Sequence, residues 1–391
     1  MRFLTPVFLL ISIHSFCATT ADSFYVARSK GKLTMLAYGL GQDRLGGAKM
    51  GYIDTNVLLR VIDSTRELYK VQLSKLHTAY VNRNDIKRDT TRMKPYYLTN
   101  SWSVKGDKDY DYVNISIDEK LPYKSWMEIN PSRIVVDIYG VQSNTNWITQ
   151  LQSLKEVKNV YFNQVEDDVV RVTIELKHHQ NWGYTIAYKN RSLSIRVRRQ
   201  PAKLKVNGMM IAIDAGHGGT NEGATGLNTK ALEKNYTIRF ATELQKVLEK
   251  HGATVIMTRL ADTTFNNVDR VLMLQQAMPD MLISLHLNSS DNPDVKGVST
   301  YYKHIGFRPL STALLHRMLQ LKLSEFGNVG NFNFTLNAPT DFPNALVEIA
   351  FLSNADDERQ ILNPRFHRAV AKKLYHGVKD FLKSTKKDDD D

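Results

Sequence analysis

Along the first half of the chain, apolar and polar residues alternate with a period of two. Val57–Val61, Leu68–Leu73 and His77–Val81 carry the pattern first. It returns at 112–117, 132–141, 169–176, 184–188 and 192–199. Strict alternation places successive side chains on opposite faces, so these runs predict half-buried β-strands. Two polar interruptions, "RDTTRMKP" (88–95) and "RQPAKLKVNG" (199–208), read as linkers. They bound two small all-β domains, over 24–88 and 96–200. After Met209 the rhythm changes. Strand-like runs at 209–214, 253–259, 280–288, 297–303 and 344–353 alternate with helical spacing at 231–252, 266–278, within 309–326 and within 363–383. This predicts an α/β domain over 207–385 with a largely parallel sheet flanked by helices. The final residues, 386–391, read as a disordered tail. The fold class is therefore multidomain: an α/β domain, with a largely parallel sheet flanked by helices, preceded by two small all-β domains.

Charge and composition sharpen this picture. Hydrophobic content of 42% and charged content of 24% exclude a disordered chain. A net charge of +12 suits an anionic partner without choosing one. The start, "MRFLTPVFLLISIHSFCATTADS", has a basic residue, a short apolar run and small residues toward Ala21. It reads as a secretory signal peptide over 1–21 rather than a membrane span. No later stretch is apolar enough to span a bilayer, so no transmembrane segment is expected. The only cysteine, Cys17, falls in this leader. The mature protein then has no thiolate to offer a metal, which leaves His, Asp and Glu. Export also argues against a nucleic-acid partner.

The candidate chemistry gathers at strand ends of the α/β domain. "IAIDAGHGGTNEGATG" (211–226) puts His217 in a glycine-rich loop after an apolar strand. Its spacing matches neither G-x-G-x-x-G nor the P-loop, so a phosphate cradle is disfavoured. His286 ends "DMLISLHLN", Glu348 interrupts the apolar "ALVEIAFLSN", and Glu233 opens a helix where its charge suits the N-terminal dipole. Taken singly, each residue has an ordinary reading: a hydrogen-bonded loop histidine, a dipole partner, a satisfied core histidine. Glu348 resists one, because a buried carboxylate is costly unless paired or metal-bound. Two histidines and one carboxylate form a catalytic zinc set that leaves one position for water.

"DAGHGG" (214–219), "EK" (233–234), "SLHLNS" (284–289) and "VEIAFLSN" (347–354) resemble, in order, the four blocks of zinc-dependent N-acetylmuramoyl-L-alanine amidases. The resemblance spans about 207–385. It implies one zinc ion held by His217, Glu233 and His286, with Glu348 as the catalytic carboxylate. "TRLAD" (258–262) and Arg270 also fit; Asn221 stands where an aspartate is common. Upstream, "RIVVDIYG" (133–140) and "RVTIEL" are similar to the AMIN domain, and "YKVQLS…TAYVNRNDI" resembles a bacterial Src-homology-3-like barrel. These resemblances imply an exported hydrolase of the periplasm or cell wall, whose partner is peptidoglycan. The bond cut is the amide between N-acetylmuramic acid and L-alanine of the stem peptide. Asn288 and Arg259 are expected to contact substrate. An activator protein is compatible with the sequence but not required by it. The interval Ser289–Val347 has little room for a helix that would plug the site.

Overall fold

The computed structural model describes residues 25–31, 33–41 and 46–390. The leader expected over 1–21 lies outside the described residues. Residues 25–88 form a seven-stranded antiparallel sheet, in the order Lys49–Ile53, Thr34–Ala37, Thr78–Asn82, Leu68–Gln72, Leu58–Ser64, Tyr25–Ser29 and Ile86–Arg88. Residues 97–198 form two further sheets. One centres on Arg133–Tyr139 paired with Val169–Leu176, the other on Tyr110–Ile117 paired with Tyr97–Gly106 and Ser192–Arg198. Inward residues of all three sheets, among them Val61, Val71, Ile115, Val136 and Ile174, share one apolar core.

The third region holds a six-stranded sheet: Thr254–Met257, Met210–Ala215, Met281–Asn288, Asn344–Phe351, Val298–Tyr301 and Glu325–Val329. The sheet is mixed rather than of one sense. Val298–Tyr301 runs antiparallel to Asn344–Phe351, while the other pairings are parallel. The reason is local. Residues 289–297 leave Met281–Asn288 without a crossover helix, so the next strand starts at the same end and runs back.

Both faces are covered, which explains the near-continuous apolar strands. Ile211, Ile213, Ile283 and Leu285 pack with Phe240, Leu244, Leu314 and Leu374 of the helices Glu233–Lys250, Arg308–Met318 and Pro364–Asp390. Ala212 and Leu282 face the other way, toward Leu274 of the helix Asn267–Ala277, with Leu336 and Phe342. The closing helix continues to Asp390, through most of the segment the sequence reading assigns to a disordered tail. Its buried Phe381, Leu382 and Thr385 anchor the turn before Lys386. Extending an anchored helix costs far less than nucleating one.

The all-β and α/β regions exchange side chains. Trp182, 1% exposed, belongs to the α/β core with its ring 5.7 Å from Phe381, and Phe307 belongs to the β core. Tyr184 N–H donates to the Thr340 carbonyl, and Thr340 Oγ1 donates to the Tyr184 carbonyl, both at 2.8 Å. Arg198 donates to Asp280 at 2.6 Å. The regions thus pack as neighbours with shared contacts rather than as beads.

Candidate metal centre

Parallel pairing of Met210–Ala215 with Met281–Asn288 sets Ala215 beside Leu285, so the residues that follow each strand emerge at one sheet edge. His217 comes two residues later, in the left-handed region at φ 62°. Gly216 precedes it because nothing larger fits. A Cβ there would lie 2.3 to 2.6 Å from three atoms of the His286 ring. Gly223 is similarly tied, since its Cβ would fall 2.4 Å from Glu233 Oε2. The glycines let the loop fold back over the two imidazoles.

Three side chains converge there. His217 Nε2 lies 3.1 Å from Glu233 Oε2, His286 Nδ1 lies 3.0 Å from Glu233 Oε1, and the two ring nitrogens are 3.2 Å apart. All three ligand-type atoms fall within 4.8 Å of one another. A tetrahedral zinc ion about 2.0–2.1 Å from each ligand atom sets those atoms roughly 3.3 Å apart, so the donor set fits such an ion. When neither carries a proton, the two facing imidazole nitrogens, 3.2 Å apart, can both offer lone pairs to one cation.

The surroundings orient each group. His217 Nδ1 is 2.8 Å from Asn221 Oδ1, an acceptor that keeps the proton on Nδ1 and turns Nε2 inward. Asp214 Oδ2, 3.9 Å from His286 Nε2, places negative charge behind the second ring. Glu233 accepts from Leu287 N–H at 2.9 Å and Ala224 N–H at 2.7 Å. Burial alone would raise its pKa, but the hydrogen bonds and charges of both histidines hold the carboxyl well below the usual range. Burial conversely pulls His217 down, and Glu233 with Asn221 more than offsets it, so its pKa is raised.

Glu348 sits on the adjacent strand, directly opposite His286 in the register and only 7% exposed. It lines an open cleft of about 830 Å³ with the three convergent side chains, Asn288 and Ser289. Asn288 is thus on the cleft wall.

Arg259 is not. The structure places it beneath the His217 loop, 4% exposed, donating to the carbonyls of Ala215 at 2.8 Å, Gly216 at 3.1 Å and Lys234 at 2.7 Å. The substrate-contact reading of Arg259 is therefore corrected to a loop support. Arg270 joins it, pairing with Asp214 at 2.7 Å and reaching the His217 carbonyl. Asp214, fully buried, also accepts from Thr258 and Ser284. Its position as the polar end of an apolar strand was the available signal for this role. Residues 289–347, all described, contain one α-helix, Arg308–Met318. That helix packs on Pro364–Asp390 and the strand Asn344–Phe351 rather than over the cleft.

A family model described as N-acetylmuramoyl-L-alanine amidase matches residues 211–380, and one described as the AMIN domain matches 103–202. The probable cell wall amidase LytH of Staphylococcus epidermidis is 31% identical over 217 residues, 54% of this chain and 72% of that relative. Among solved structures, the catalytic domain of CwlV, an amidase of the same name from Bacillus (Paenibacillus) polymyxa, is 27% identical. It is covered over 98% of its length and 45% of this chain, with a TM-score of 0.43. An N-acetylmuramoyl-L-alanine amidase from Clostridium difficile 630 is also 27% identical, over 46% of this chain and 98% of its own, with a TM-score of 0.44.

Proposed function

The chain belongs to the N-acetylmuramoyl-L-alanine amidase family, and on that premise we propose that it cuts peptidoglycan with one zinc ion held by His217, Glu233 and His286. The observation that carries this reading is the convergence of two imidazole nitrogens and one carboxylate at a cleft also lined by Glu348. Zinc, when bound, supplies the Lewis acidity that activates water near neutral pH and polarises the scissile carbonyl. Glu348 accepts the proton of the attacking water and delivers it to the departing nitrogen of L-alanine. Glu233 and the two histidines stay in place as ligands, and Asn221 fixes the ring of His217. Asn288 contacts the substrate at the cleft wall.

Residues 24–88 act as a Src-homology-3-like barrel and 96–200 as an AMIN-like sandwich that holds the enzyme at the wall. The AMIN match and the cell-wall relatives support an exported enzyme. Among the described residues, no helix is long and apolar enough to cross a membrane. The cleft is open, and the enzyme works without an activator.

Removing the metal with a chelator and restoring zinc tests this reading. Release of stem peptide should stop and then return. Activity that persists in fully demetallated protein would sink the zinc assignment.

A further inference from the structure

The cleft is not built by the α/β region alone. Lys49, the first residue of the strand Lys49–Ile53 in the N-terminal sheet, lines it together with His217, His286 and Glu348. The contact is specific. Lys49 N–H donates to Asn333 Oδ1 at 2.9 Å, its ammonium donates to the Asn333 carbonyl, and Asn333 Nδ2 donates to the Gly47 carbonyl at 3.0 Å. The next residue, Phe334, lies parallel to the His286 ring at 6.5 Å. Its other neighbours are Phe332 at 4.6 Å and Tyr301 at 5.3 Å, so the loop that carries it is held on both sides.

One ammonium hydrogen of Lys49 is used by Asn333, which leaves donors to spare. Behind it, a cavity of about 300 Å³ is lined by both Lys49 and Lys303. Burial, then the charge of Lys49, pushes the Lys303 pKa down to about 8, and burial lowers that of Lys49. The carboxylates lining the same cavity are engaged elsewhere. Asp54 accepts from Tyr188 N–H and Thr55 N–H, and Asp341 accepts from Thr185 and Gln275. Among the described residues, neither lysine forms an ion pair. Two half-buried ammonium groups repel, and an anion entering from the cleft relieves this.

Resting on the amidase reading, the geometry points to Lys49 as a specificity-determining residue, contributed by the N-terminal sheet, that receives a free carboxylate of the stem peptide. The substrate's own chemistry gives the direction. The lactyl carboxyl of the muramic acid is consumed in the scissile amide, so the remaining carboxylates lie on the peptide side. The groove from the metal ligands to Lys49 therefore takes the stem residues that follow L-alanine. A charge-assisted hydrogen bond to a carboxylate corresponds to roughly tenfold or more in selectivity.

The test uses the full chain, zinc-loaded, with two soluble muropeptides that differ only in a free or an amidated carboxylate at the second stem residue. Wild type should favour the acidic substrate in kcat/KM. Lys49→Met should reduce that preference about tenfold, mainly through KM, and Lys49→Arg should keep it. Asn333→Ala removes the clamp but not the charge, so it should slow both substrates alike. Lys303→Met provides a second charge variant and should reduce the preference less. An unchanged preference in Lys49→Met, or an equal loss on both substrates, would overturn the proposal. Failure of wild type to release stem peptide from either muropeptide would overturn the amidase reading with it.

Discussion

Glu348 stands opposite His286 across the ladder between two parallel strands, so this carboxylate and imidazole are fixed by the same backbone hydrogen bonds. The carboxylate sits beside the convergent side chains without being one of them. Glu348→Gln should therefore keep zinc and lose hydrolysis, by on the order of 10²–10⁴ in rate. His217→Ala should lose both. Metal content by elemental analysis, read beside turnover, separates the two, and a zinc-free Glu348→Gln would make that residue a ligand instead.

Asn221 fixes the tautomer of His217 through a 2.8 Å contact. Asn221→Ala should weaken zinc affinity about 10–100-fold, while Asn221→Asp should hold it at least as tightly as wild type. Competition with a zinc chelator measures this. Equal affinity in all three proteins would leave the orientation role without support.

Gly216 has no room for a side chain against His286. Gly216→Ala should displace one histidine or the other, so zinc stoichiometry falls well below one while far-UV circular dichroism is retained. Full zinc occupancy in this variant would show that the loop relaxes more easily than the contact implies.

The metal-free protein should have a bell-shaped stability profile. The raised pKa of His217 contributes stability that is full below its ordinary 6.5 and lost as pH rises through the folded value. The depressed pKa of Glu233 contributes stability present above its ordinary 4.5 and lost as pH falls through the folded value. The ion pair thus helps most between these limits. Zinc needs deprotonated imidazoles, so its stabilising effect should grow with pH where the apo pair fades. Melting temperatures with zinc and with chelator, from about pH 5 to about pH 8, check this. A zinc-induced gain that does not vary with pH would contradict it.

The four central side chains were legible because each interrupts an apolar or glycine-rich run at a strand or helix end. The strands and helices bearing them follow from strong periodicity. Other parts left no local trace. Glu325–Val329 is a polar strand at the sheet edge, so alternation could not mark it. The antiparallel sense of Val298–Tyr301 depends on how the sheet is assembled. The helix Ala355–Ile361 did carry a signal, Asn354 capping two N–H groups ahead of three acidic residues, but it is too short for periodicity to show. Lys49 reaches the cleft through a partner 284 positions away, which no window along the chain can reveal. Arg259 was misassigned because an arginine near a site is equally suited to substrate or to backbone carbonyls, and only its burial decides.

Mass analysis of purified peptidoglycan after digestion by the zinc-loaded full-length protein tests the central claim most directly. The account predicts free stem peptides beginning with L-alanine, and glycan strands whose muramic acid carries an unsubstituted lactyl carboxyl. Digestion that releases glycan fragments still bearing their peptides, or peptides cut within the stem, would contradict it.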